Sequence, residues 1–219
     1  MTTTISKRSR PDGADPVKRW TTAEFDRLIG QGLLEEGSGT YLWEGQIVEP
    51  MPEYQPHWNA VCHLFALLLT RFLAADWTVG QTGSLALEDG TKPQPDLLVL
   101  KGPRTRYRVM PAGPADVALL IEVSGSSYPR DSGERLRKYA AAGVALYWIV
   151  NIPERRVEVY RDARASEGGT WIYRERADFG LDQSIPVYVS HAGIEVVGEV
   201  AVLDILRDSL EPLEGEGQA

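Results

Sequence analysis

Apolar residues fall into runs of two kinds along this chain. In His57 to Ala75, the residues Val61, Leu64, Phe65, Leu68, Leu69 and Phe72 recur at threes and fours, which predicts a long, well-buried helix. Elsewhere the runs are short and continuous: Leu97 to Leu100, Val117 to Val123 and Ala145 to Val150. Runs of that length read as strands covered on both faces of a sheet. Val157 to Tyr160 alternates, as a half-exposed strand does, after a turn at Arg155-Arg156. Further strands are expected at Trp77 to Val79, Ser84 to Leu87, Thr170 to Tyr173, Ile185 to Val187 and Gly193 to Val196.

Turn and cap residues punctuate these runs. Thr21-Thr22-Ala23-Glu24 predicts a capped helix start, and Gly30 and Gly32 its end. Glu44-Gly45 between Tyr41–Trp43 and Gln46–Val48 predicts a hairpin. Asp131-Ser132-Gly133-Glu134 opens a helix with Leu136, Tyr139 and Ala140 on one face, and Gly143 closes it. A short helix is expected at Val202 to Leu206. The order predicts a mixed α/β fold with a central sheet flanked by helices. One domain over residues 19–208 is expected, between a polar tail at 1–18 and an acidic, frayed end at 209–219.

Composition changes this picture little: 43% hydrophobic and 25% charged residues are ordinary globular values. The formal net charge of −8 counts against tight, non-specific DNA binding, while leaving room for a local basic groove. The single cysteine, Cys62, excludes an internal disulfide, reads as a core residue and fits a reducing cytoplasm. Residues 1–16 lack the apolar stretch of a signal peptide, and the run Leu64 to Leu69 is too short to span a bilayer. A soluble, cytoplasmic protein with no membrane partner is expected. Lys7, Arg8 and Arg10 in the tail either touch an anionic partner or are simply solvated.

The candidate chemistry lies between Pro95 and Tyr139. Asp96 opens one apolar strand and Glu122 lies near the end of another. If these strands are neighbours, the two carboxylates converge, and their repulsion is relieved by a divalent cation. Mg²⁺ takes one or two protein carboxylates plus waters and phosphate oxygens. Such an ion polarises a phosphate and lowers the pKa of an attacking water. The bland alternatives are a turn residue for Asp96 and a structural salt bridge from Glu122 to Arg135 or Arg130. The basic loop Lys101 to Arg108 either contacts a nucleic-acid backbone or is solvated. His63 reads as a packed or surface residue, and three scattered histidines with one cysteine make no zinc site. No glycine-rich phosphate loop and no Gly-x-Ser-x-Gly elbow is present.

Pro95-Asp96, Glu122-Val123-Ser124, Asp131, Arg135, Tyr139, Ala142-Gly143-Val144 and Tyr147 to Val150 resemble the Uma2 family. Thr21 to Phe25, Gly45 to Val48 and His57 extend that resemblance to about residues 20–200. The family is similar to the PD-(D/E)XK nuclease superfamily, so the resemblance implies a restriction endonuclease-like fold. It implies Asp96 and Glu122 as metal ligands for Mg²⁺ (or Mn²⁺), with the Val123 carbonyl completing the set. It also implies a role for His57 near the scissile phosphate. Where the superfamily pattern has a lysine two residues after the second acid, this chain has Ser124. In the family, the lysine stands on the next helix, where this chain has Arg135. Lys138 is three residues on, about 60° away around the helix. Arg135 can clamp a phosphate but cannot act as a base near neutral pH. The family's first motif has an acid before the hairpin glycine, and Tyr41 stands in the aligned place.

The resulting expectation is a Mg²⁺-dependent endonuclease acting on nucleic acid, with DNA as the expected partner. Asp96, Glu122, Ser124, Arg135, Lys138 and His57 are its candidate catalytic residues, and the strand Trp171 to Tyr173 is a candidate homodimer edge. The alternative is a nuclease-fold binding or assembly protein with impaired catalysis, and a third reading is a toxin- or transposon-associated regulator.

Overall fold

The computed structural model describes residues 17–35, 37–50, 54–73, 76–109 and 111–210. The expectations for residues 1–16 and 211–219 lie outside the described residues.

Helix α1 (Thr22–Gly30) starts where Thr21 and Glu24 cap each other: Thr21 Oγ1 accepts from Glu24 N, and Glu24 Oε2 accepts from Thr21 N. Strands β1 (Tyr41–Trp43) and β2 (Gln46–Val48) form the expected hairpin. Its turn has φ of 46° at Glu44 and 74° at Gly45. Gly45 is demanded twice, because a Cβ there would also lie 2.7 Å from Arg19 Cβ. Gly45 N donates to Gly90 O at 2.7 Å and Trp20 N to Gly45 O at 2.8 Å, so the hairpin is stitched to both flanking segments.

Helix α2 (Gln55–Phe72) buries Ala60, Val61, Leu64, Leu68 and Phe72, the predicted apolar stripe. Six strands make one sheet in the order β3-β4-β5-β6-β7-β8. They are β3 (Trp77–Gln81), β4 (Leu97–Lys101), β5 (Val117–Ser124), β6 (Leu146–Asn151), β7 (Arg156–Ala165) and β8 (Trp171–Gly180). Only β5 and β6 run parallel. Their crossover is a helical segment: α3 (Tyr128–Arg130), a π turn over Asp131–Arg135, then α4 (Leu136–Ala141). The hairpin β9 (Ser184–His191) and β10 (Ile194–Ala201) leads into α5 (Val202–Leu206).

Both faces of the sheet are covered, as the unbroken apolar strands predict. Leu97, Val99, Leu119, Ile121 and Val123 face α2, α5 and the β9–β10 hairpin. Leu98, Leu100, Leu120 and Ile149 face the crossover with Tyr139 and Ala140. Glu122 and Ser124 share the second face, because side chains alternate along β5.

Two expectations are corrected. Ser84 to Leu87 makes only an isolated bridge, Leu85 to Ala112. The crossover helix begins at Tyr128, with Pro129 in its first turn, rather than at Asp131. At the ends of the described residues, Lys18 pairs with Glu24, and Ser209 Oγ donates to Pro56 O at 2.7 Å.

Candidate active site

The antiparallel register Leu97↔Ile121 sets Asp96 across from Glu122 at one end of the sheet. Asp96 Oδ2 accepts from Val123 N at 2.7 Å and from His57 Nε2 at 3.2 Å. His57 reaches it from the first turn of α2. Glu122 Oε1 accepts from Tyr139 Oη at 2.6 Å and lies 2.8 Å from Arg135 Nη1. Arg135 Nη1 also donates to Asp131 Oδ1 at 3.2 Å, and Ser124 Oγ donates to Asp131 Oδ2 at 2.8 Å. The π turn carries both Asp131 and Arg135 into this buried cluster; such turns gather at functional sites. Tyr41 and Trp43 of the hairpin lie over the guanidinium, 5.5 Å and 6.0 Å from ring centre to Cζ.

A cavity of about 310 Å³ opens onto these groups, lined by Asp96, Glu122, Val123, His57, Arg130, Asp131 and Arg135 among others. That volume holds several waters or a phosphate with a hydrated ion. Among the described residues, Asp96 Oδ1 and Glu122 Oε2 accept no hydrogen bond. Asp131, by contrast, has both oxygens engaged. Arg130 donates to Tyr41 Oη at 3.0 Å and forms no ion pair among the described residues, while its buried Nε has no hydrogen-bond partner.

Burial drives the electrostatics. Glu122 is 2% exposed. Its pKa is pushed up to about 8, first by desolvation, with Arg135 opposing and Asp96 and Asp131 adding to the rise. The upward direction prevails because full burial and two like charges outweigh one guanidinium that is shared with Asp131. Burial works against the Arg135 charge, but Glu122, Tyr139 and Asp131 more than offset this and hold its pKa above the ordinary value. Desolvation and then Glu122 push the Tyr139 phenol up, so it stays a donor.

The sequence profile of the Uma2 family, described as "Putative restriction endonuclease", matches residues 22–194. The chain belongs to the Uma2 family. One solved structure, titled as a "putative nuclease belonging to DUF820" from Anabaena variabilis ATCC 29413, shares the fold at 17% identity. Its TM-score is 0.62, and the match covers 89% of this chain and 100% of that one. No curated protein matches the chain. This Uma2 chain therefore carries the restriction endonuclease-like mixed α/β fold that its sequence resembles. Among the described residues, no helix is long and apolar enough to cross a membrane.

The structure brings Asp96, Glu122, Val123, His57 and Arg135 to one cavity. It does not bring Ser124 or Lys138 there. Ser124 is fully buried behind the cavity and serves Asp131. Lys138 Nζ lies 2.7 Å from Glu44 Oε1 and 2.9 Å from Glu88 Oε1, on the hairpin side. Those two acids raise its pKa against the pull of desolvation. The loop Lys101 to Arg108 follows the far end of β4, about 16 Å along the strand from Asp96 at ~3.3 Å per residue. There Arg106 pairs with Asp116 at 2.6 Å, and Lys101 Nζ donates to Ala115 O at 2.9 Å.

Sequence reasoning assigned no role to Asp131, Tyr139 or Arg130 in the cavity. The four-residue spacing of Asp131 and Arg135 was the available signal for the first. Nothing in the sequence shows that Tyr139 reaches across to Glu122, or that Arg130 has no acid beside it among the described residues.

A divalent cation fits the donors present. Among the described residues, no group of three or more His, Cys, Asp or Glu is disposed around one point. Mg²⁺ does not need one, since one or two carboxylates suffice beside waters and phosphate.

Proposed function

We propose that the protein is a Mg²⁺- or Mn²⁺-dependent nuclease that hydrolyses phosphodiester bonds of nucleic acid, DNA in the first instance. The observation that carries this reading is the pair of carboxylates on neighbouring strands. Each keeps one oxygen without a hydrogen bond among the described residues, and both face one cavity beside the guanidinium of Arg130, which forms no ion pair among those residues.

Asp96 Oδ1, Glu122 Oε2 and the Val123 carbonyl are the atoms that would hold the ion. Val123 gives its N–H to Asp96, and in an extended strand a residue's carbonyl points to the same side as its N–H. When bound, a divalent cation polarises the phosphate and acidifies a water. Arg130 takes the phosphate oxygens, with Tyr41 steering its fork. Arg135 holds Glu122 in place. His57 orients Asp96: its Nε2 is given to that carboxylate, and its Nδ1 is buried away from solvent. Ser124 acts one step back, by fixing Asp131. Two copies cutting opposite strands would join through β8, an edge of the sheet that exposes Trp171 and Ile172.

The ion pair between Arg135 and Glu122 also favours the second reading, a nuclease-fold binding or assembly protein with impaired catalysis. A guanidinium already neutralises the acid that a cation would need. Plasmid nicking separates the two. The nuclease reading expects nicking by the wild type with Mg²⁺ or Mn²⁺, none in EDTA, and none by Asp96→Ala or Glu122→Ala. No nicking with either metal would leave the binding reading standing.

A further inference from the structure

Tyr54 stands just before the first turn of α2 and lines the cavity, yet 71% of it is exposed. Trp58, four residues on, is 55% exposed. The bond from Trp58 N to Tyr54 O, at 3.1 Å, sets the two residues one helical turn apart along the backbone at the start of α2. His57 lies between them in sequence and touches Asp96 at 3.2 Å. Open aromatic surface therefore begins within one turn of the candidate metal-binding acid.

Among the described residues, the cations lining this cavity are few. Arg135 is committed to Glu122 and Asp131, and Arg130 is the cavity guanidinium without an ion pair among the described residues. The exposed Arg104 and Arg108 follow the far end of β4. Duplex DNA is gripped mainly through rows of Lys and Arg on its phosphates. A chain of net charge −8 with, among the described residues, one guanidinium at the cavity outside an ion pair is poorly built for that. Unpaired strands are held differently, by bases stacked on aromatic rings beside a limited number of phosphate contacts.

We propose that Tyr54 and Trp58 form a base-stacking platform that selects an unpaired strand of nucleic acid and feeds its phosphate to Arg130. The proposal rests on the nuclease reading for the place where the phosphate sits. Its test does not need cleavage.

The experiment is fluorescence polarisation in EDTA with the full chain and three labelled probes of equal length: oligothymidylate, a blunt duplex and an abasic strand. The platform predicts oligothymidylate binding at least ~10-fold tighter than the other two. Tyr54→Ala/Trp58→Ala should lose about 10-fold or more for oligothymidylate alone, and Tyr54→Phe/Trp58→Phe should retain most of the affinity. Equal or tighter duplex binding overturns the proposal. So does unchanged affinity in the double alanine variant, the absence of binding to any probe, or a double variant whose only change is loss of a dimer on gel filtration. Selective binding in EDTA with no cleavage of labelled oligothymidylate or of plasmid in Mg²⁺ or Mn²⁺ keeps the platform and removes the nuclease reading. Nicking with equal affinity for duplex does the reverse.

Discussion

Glu122→Gln gives the sharpest test of the site's electrostatics. Unfolded, the Glu122 carboxyl ionises near 4.5, and folded it is held up to about 8. Below pH 4.5 both states carry the proton, and its contribution to stability is fully present. Between 4.5 and 8 the folded state keeps a proton that the unfolded state has lost, so stability falls as pH rises. Above 8 both states are ionised and the loss is complete. At ~1.4 kcal/mol per pH unit across that window, the loss is on the order of 5 kcal/mol. The Gln variant keeps an oxygen for the Tyr139 hydroxyl and has nothing to titrate. The assay is urea unfolding followed by tryptophan fluorescence, from pH 5 to pH 9, in EDTA. Wild-type stability should decline over the window relative to Glu122→Gln, with most of the difference gained before pH 8. Parallel profiles for the two proteins would refute the reasoning, because they would mean that burial does not hold the Glu122 proton.

Other outcomes follow from the same contacts. Arg135→Met leaves Asp131 and, above pH 8, the ionised Glu122 buried without their cation and should cost about 3–5 kcal/mol in denaturant unfolding at pH 9. A cost under 1 kcal/mol would mean the ion pairs are not formed. Ser124→Ala strips one oxygen of Asp131 of its donor and should cost about 1–3 kcal/mol by the same assay, with Mn²⁺ affinity nearly intact because Ser124 stands behind the cavity. Lys138→Ala breaks partly solvated pairs with Glu44 and Glu88; it should cost at most ~1 kcal/mol and leave nicking unchanged. A nicking defect there would return Lys138 to the site.

The central strands were legible because β4, β5 and β6 are continuous apolar runs bounded by turns. The lengths of β7 and β8 were not. Beyond Tyr160 and Tyr173 their side chains are largely polar and exposed, and it is the ladder between them that keeps both extended. Ser84 to Leu87 has the apolar alternation of a strand but no partner strand to pair with, so only Leu85 forms a bridge. In the site, the meeting of Asp96 and Glu122 was readable from two acids at strand ends. The fates of Ser124 and Lys138 were not, since each is decided by a residue distant in sequence or across an element: Asp131 for one, Glu44 and Glu88 for the other. The π turn, with Gly133 inside it, has no periodic signature to announce it.

The central claim is that Asp96 and Glu122 hold one divalent cation. Calorimetric titration of Mn²⁺ into the wild type, Asp96→Asn and Glu122→Gln at pH 8.5, where Glu122 is ionised, tests it most directly. The account predicts one site per chain in the wild type, weakened at least ~10-fold by either substitution, and weaker in the wild type at pH 6.5, where Glu122 keeps its proton. Wild-type binding that neither substitution alters, or no binding at all, would contradict it.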